Sequence, residues 1–175
     1  VYMGEDYYYR WQAGDLVSVF TDASHDQYQA VTGNVTETDL KFVSKTATLG
    51  TTLDKSYAVY PYNAANALVD GVVYTEIAAE QTYSYNGLGN AIMVSETSGS
   101  EFVFKNACAL VKVNLTIAED FTNLHAVKSI RVSSKSKPLS GAATINVAGG
   151  DYAAKMATQT LAAENAVTLV GCEVA

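Results

Sequence analysis

The sequence predicts an all-β domain, a two-sheet sandwich with Greek-key links, and three observations carry that prediction. Short runs rich in Val, Ile, Tyr, Phe and Thr recur along the chain. Turn-forming Gly, Asn, Asp, Ser and Thr separate them every ten residues or so, the spacing of antiparallel strands joined by turns. Helical periodicity is weak: the best helical turn is 119–126, and the alanine-rich stretch 153–165 is ambiguous, with no apolar stripe at 3.6-residue spacing in either.

Ten runs read as strands: 16–20, 27–32, 40–43, 56–60, 82–85, 91–94, 101–117, 129–133, 142–147 and 166–173. In the first, Leu16, Ser18 and Phe20 share one face and Val17 and Val19 the other. Tyr83 and Tyr85 alternate with Thr82 and Ser84. Ile130 and Val132 alternate with Ser129, Arg131 and Ser133, as in a half-buried strand with one wet face. The run EFVFKNACALVKVNLTI changes phase. Phe102, Phe104, Cys108 and Leu110 hold one phase, and Val111, Val113, Leu115 and Ile117 hold the other. A bulge between Leu110 and Val111, or a strand crossing between sheets there, accounts for the switch.

Ahead of the first strand stands YYYRWQAGDLVSVF, residues 7–20. Gly14-Asp15 reads as a turn. Trp11 reads as a cap on one end of the core. Tyr7, Tyr8 and Tyr9 extend a strand into it, and consecutive strand side chains alternate between faces, so at least one points outward. These three tyrosines are the candidate ligand contacts.

With 175 residues and 49% hydrophobic content, the chain suffices for a single domain, 1–175, with one sizeable core. Only 17% of residues are charged, so Ser, Thr, Asn, Gln and Tyr must supply much of the surface. Net charge is −7, and the basic residues read as dispersed, without a cluster to hold a phosphate backbone or an anionic membrane. Nucleic acid is therefore not an expected partner. No apolar run approaches the length of a membrane-spanning helix. Cys108 and Cys172 read as free thiols, with a disulfide between them as the alternative.

Catalytic chemistry finds little support. Ser24-His25-Asp26 has the letters of a triad, but triad members meet across a fold and sequence neighbours point apart. His25, near Asp22 and Asp26, reads as part of a solvated loop, and His125 as a surface residue. Glu76, Glu80, Glu96 and Glu101 are indistinguishable from surface acids, although a glycosidase pair is set by distance in space rather than spacing in sequence. Glu5-Asp6 and Glu119-Asp120 are isolated pairs and make no calcium loop. Gly87–Asn90 is a turn and not a phosphate cradle. The expectation is a non-enzyme with no cofactor and no metal. Twelve tyrosines and Trp11 leave open a sugar-stacking surface, while strand packing is the plainer use of them.

Several segments together resemble the fimbrillin-like family, pilus subunits of the Bacteroidales. RWQAGDLVSVF is similar to the family's W-x-x-G-D opening, on Trp11, Gly14, Asp15 and Phe20. SYAVYPYN resembles its Tyr-Ala-x-Tyr-Pro-Tyr segment, on Tyr57, Tyr60 and Pro61, where Pro61 should end the strand. Gln81 stands where the family carries a Gln, and Ala91–Val94 is similar to its apolar strand with a central Met. FVFKNACALVKVNL resembles its Phe-x-Phe-x-Asn-x-Cys-Ala strand, on Phe102, Phe104, Asn106 and Cys108. There Asn106 is placed to satisfy bulged backbone groups. Ile130–Val132 and then Leu139-Ser140-Gly141 are similar to its tail.

The resemblance covers most of the chain, from about Trp11 to Val147. It implies a transthyretin-like sandwich, the N-terminal domain of a longer two-domain subunit. It also implies export as a lipoprotein, anchored to the membrane only through a lipid on a precursor. The location implied is the outer membrane and fimbrium, where subunits polymerise by β-strand exchange with copies of themselves or other fimbrial subunits. The alternative is a surface lipoprotein module or tip adhesin that holds a host glycan or matrix protein through exposed aromatics.

Overall fold

The computed structural model describes residues 2–3, 9–21, 24–31, 40–45, 55–82, 90–114, 116, 127–156 and 165–172. Among them are fifteen strands and no helix. The strands are β1 (Tyr2–Met3), β2 (Tyr9–Arg10), β3 (Leu16–Phe20), β4 (His25–Ala30), β5 (Phe42–Ser44), β6 (Ser56–Tyr60), β7 (Ala67–Val69), β8 (Val72–Ile77), β9 (Glu80–Thr82), β10 (Met93–Thr97), β11 (Lys105–Asn106), β12 (Ser129–Ser133), β13 (Gly141–Asn146), β14 (Asp151–Met156) and β15 (Ala166–Val170). The chain is all-β, as its turn spacing predicts.

A six-stranded sheet runs in the order β11-β10-β6-β3-β4-β5, and a four-stranded sheet in the order β14-β13-β8-β7. A third sheet, β12-β15-β9, contains a parallel pair, β15 with β9, and β1 and β2 form a ribbon of their own. The other strand pairs are antiparallel.

The main core lies where the six- and four-stranded sheets face each other. Phe20, Tyr57, Val59, Ile92 and Val94 from one side meet Val73, Ile145 and Val147 from the other. The opposite face of the six-stranded sheet is also covered. Val17, Val19, Ala58, Tyr60 and Met93 form a second cluster under Trp11, Tyr28, Phe42, Phe102 and Phe104. This is why LVSVF and SYAVY are apolar on both faces: a central strand buried on both sides has no wet face.

The two sheets join at one edge through a single residue. Ala107 N–H donates to the Ile92 carbonyl, and the Ala107 carbonyl accepts from Ala154 N–H. The chain thus leaves β10's side at β11 and reaches β14. The expected crossing exists but comes earlier than Leu110–Val111, because Phe102 and Phe104 pack on the second cluster while Ala107 and Cys108 pack in the main core. The long strand predicted at 101–117 is replaced by the two-residue β11. From Cys108 to the end of that run the described residues are not in a strand, and Leu110, Val111 and Val113 are exposed.

Other elements shift more modestly. The strands at 16–20, 56–60 and 129–133 match residue for residue. β4 starts two residues before the predicted 27–32, β5 and β10 lie further along than 40–43 and 91–94, and β13 and β15 sit within a residue or three of expectation. The ambiguous stretch at 153–165 begins as strand β14, with Tyr152 and Ala154 packed on the core. Of the predicted strand 82–85, Thr82 ends β9 and the rest lies outside the described residues, as does the helical turn at 119–126.

Sequence reading missed the hairpin of β7 and β8. Val69 and Val72 are paired across Asp70-Gly71, both at positive φ, +50° and +73°. Asp-Gly is a favoured two-residue turn because both positions tolerate the left-handed region. A Cβ at Gly71 would also collide with the Ala148 side chain.

Candidate functional site

The Trp-x-x-Gly-Asp motif builds one interlocked cluster. Asp15 Oδ2 accepts the Gln12 N–H at 2.7 Å, and Asp15 N–H donates to the Gln12 carbonyl at 3.0 Å. Gly14, at φ +92°, donates its N–H to the Ala30 carbonyl and seats the turn against β4. The buried Tyr60 hydroxyl is hydrogen-bonded to Asp15. Burial, and then the adjacent carboxylate, raise the Tyr60 phenol far above its ordinary range. Trp11 packs edge-on against Phe104, Phe42 and Tyr60, with ring centroids 4.9, 5.1 and 5.4 Å away. Trp11 is therefore a plug over the second face of the sheet and not an open stacking platform.

The remaining motif residues serve the same frame. Pro61 follows the last residue of β6 across a cis peptide bond. Phe20 and Tyr57 lie in the main core, Gln81 pairs with Leu169 in β9, and Gly141, at φ +103°, opens β13. Asn106 departs from expectation: it is exposed, opposite Met93 in β11. The Asn106 amide is expected to satisfy bulged backbone groups; the neighbouring backbone groups of Ala107 are instead satisfied by the main chain of Ile92 and Ala154. Cys108 and Cys172 are free thiols, and burial raises the Cys108 thiol above its usual value. Tyr9 pairs with Met3 in the ribbon, while Tyr7 and Tyr8 lie outside the described residues.

His25 is not in a solvated loop. It opens β4, directly across from Phe20, on which its ring stacks at 4.3 Å. Its Nε2 lies 3.0 Å from the hydroxyl of the wholly buried Ser18. Asn66 Nδ2 donates to the same hydroxyl at 3.1 Å and to the Pro61 carbonyl at 3.2 Å. Thr75 Oγ1 donates to Asn66 Oδ1 at 2.8 Å. The chain His25–Ser18–Asn66–Thr75 therefore ties β3 and β4 of one sheet to β8 of the other. Asp26, on the opposite face of β4, accepts from Ser24 Oγ at 2.6 Å. A triad needs the acid on the histidine and an accessible serine, and this arrangement provides neither.

Acidic candidates do not converge on a reaction centre. Glu96 pairs with Lys55 at 3.2 Å beside a shallow hollow of about 400 Å³ lined also by Thr97 and Ser98. Glu76, Glu80 and Glu101 are exposed. Among the described residues no group of three or more His, Cys, Asp or Glu is placed to hold a metal. His125, Glu5-Asp6, Glu119-Asp120 and the turn at 87–89 lie outside the described residues.

One charge feature corrects the sequence reading. Lys128 just before β12, Arg131 on it and Lys135 and Lys137 on the turn after it are all exposed, so the basic residues are not dispersed. Their spacing was visible in the sequence, and a whole-chain count of −7 concealed it. Comparison with protein-family models, curated proteins and solved structures finds no match.

Two outcomes follow from this geometry. Asp15→Ala should cost about 1–3 kcal/mol, since it strands a backbone N–H and a buried phenol. Urea unfolding followed by Trp11 fluorescence measures it, and Tyr60→Phe should make the Asp15 loss smaller. The second outcome concerns pH. Burial, partly opposed by Asp26, lowers the His25 pKa from its ordinary 6.5. The folded state then binds fewer protons than the unfolded state as pH falls below about 6.5, so this contribution to stability is complete above that value and declines beneath it. Urea midpoints should drop between pH 7.5 and 5.5 by more in the native chain than in His25→Gln.

Proposed function

We propose that the chain is a structural subunit of a cell-surface fimbria that polymerises by β-strand exchange and supports adhesion. In this reading it has the Greek-key, transthyretin-like sandwich of a fimbrillin N-terminal domain. Its precursor reaches the outer membrane through a lipid anchor, and its partners are fimbrial subunits of its own or another kind.

The observation that carries the reading is the segment after Ala107. It has the apolar content of a strand, yet among the described residues it stands outside every sheet, with Val111 64% exposed. Strand addition uses such backbone, because main-chain bonds supply the strength and alternate side chains supply the register. The family motifs support the reading in a second way. Trp11 and Asp15 of one motif, Tyr60 of a second and Phe104 of a third come together in one cluster.

The binding-module alternative needs two or three coplanar exposed aromatics. Among the described residues Tyr74 is the exposed aromatic, and Trp11 is engaged in packing. Strand exchange is the better supported of the two.

The test uses the longer gene product with its native flanks, trimmed at its N-terminal segment by a protease and run unheated on an SDS gel. A ladder of multimers that collapses on boiling is expected. A monomer band under every trimming condition would exclude a shaft subunit.

A further inference from the structure

The cationic edge at β12 is unlike the rest of the molecule. Residues 128–137, KSIRVSSKSK, hold four of the chain's eleven basic residues and no acid, leaving seven basic residues against eighteen acidic ones elsewhere. Among the described residues β12 pairs with β15 alone, and none lies in a strand along its other edge. Ser134 Oγ accepts the N–H groups of Ser136 and Lys137, which sets the turn that carries Lys135 and Lys137. None of the four cations forms an ion pair with a described residue, whereas Lys55 and Lys155 pair with Glu96 and Asp151. Val127 and Val132, each 39% exposed, flank Lys128 and Arg131, with Val132 on the face of β12 opposite Arg131.

A matching surface lies on the outer face of the four-stranded sheet. The register of β7, β8 and β13 places Val69, Tyr74 and Glu76 on the face opposite Val73 and Ile145. Val69 is 53% and Tyr74 45% exposed, and Asp70 sits at the adjoining turn. Neither Asp70 nor Glu76 pairs with a described cation. Lys155, two strands from Tyr74, is held by Asp151 at 2.7 Å.

We propose that the β12 edge docks on the Val69–Tyr74–Glu76 face of a second copy of this chain. Charge selects the pairing, since cations and carboxylates that have no ion-pair partner among the described residues meet. Apolar area selects the occupant: a polyanion would neutralise Lys and Arg but leave Val127 and Val132 wet, whereas a face bearing both acid and aromatic covers both. Two different patches on one chain make a heterologous contact, which propagates as a ring or a filament. The contact does not rest on strand exchange. Strand exchange gives multimers that resist SDS, while this contact is dissolved by salt, so either can fail alone.

Sedimentation velocity of the chain at low and high salt tests it. The native chain should sediment above its 18.6 kDa monomer at 50 mM salt and approach it at 500 mM, with association weakened about tenfold or more by screening. Arg131→Glu/Lys135→Glu should abolish association, and so should Asp70→Asn/Glu76→Lys, where Asn tolerates the positive φ at 70. Mixing the two variants should restore it, because each supplies the charge the other lacks. Circular dichroism melts confirm that both fold. A monomer at every salt concentration, association indifferent to salt, or failure of the mixture to recover would overturn the proposal. So would binding of an anionic polysaccharide by a chain that never self-associates.

Discussion

Burial of the six-stranded sheet on both faces is the constraint from which the rest of the structure follows. One face is sealed by the four-stranded sheet and the other by Trp11 with Phe102 and Phe104. Side chains of β3, β6 and β10 must then be apolar on both sides or small enough to be buried. Ser18, Ser56 and Ser95 are the polar residues that these strands bury. Ser18 is satisfied by Asn66 and His25, while the hydroxyls of Ser56 and Ser95 find no hydrogen-bond partner among the described residues. An unmade buried hydrogen bond costs about 1–3 kcal/mol.

The same constraint explains the polar groups that carry chemistry-like letters. Ser18 and His25 are within hydrogen-bonding distance because they share the face between the sheets, and Asp26 is turned away because it is the next residue on a strand. Polar atoms between two sheets are expensive unless bonded. The His25–Ser18–Asn66–Thr75 chain resolves that cost and also links the layers. Asp15 plays the corresponding part on the other face, where one carboxylate satisfies a turn N–H and a phenol.

Legibility in the sequence followed how local each cause is. β3 and β6 could be read to the residue because an Asp-containing turn starts one and a proline ends the other. β12 was equally clear from its alternation. The β7–β8 hairpin was legible in Val-Asp-Gly-Val and was overlooked because its neighbours are mostly polar or small. The 101–117 run could not be resolved from sequence, since Phe102 and Cys108 share a phase but belong to different cores. Only the arrangement of the sheets decides that. Of the functional residues, Trp11 and Asp15 were found through their motif. The Ser18–Asn66 link, 48 residues apart, left no local signal.

β3, β6 and β10 form the stable frame, sealed by the four-stranded sheet, and the exposed stretch 110–113 adds nothing to it. Native-state hydrogen exchange, read residue by residue by NMR on the monomer, tests this directly. Amides of Val17, Val19, Ala58, Val59 and Val94 should exchange only by global unfolding, while those of residues 110–113 exchange through local opening at far lower cost. Protection at 110–113 equal to that of β6, or exchange in β3 and β6 faster than in β7 and β8, would contradict the account.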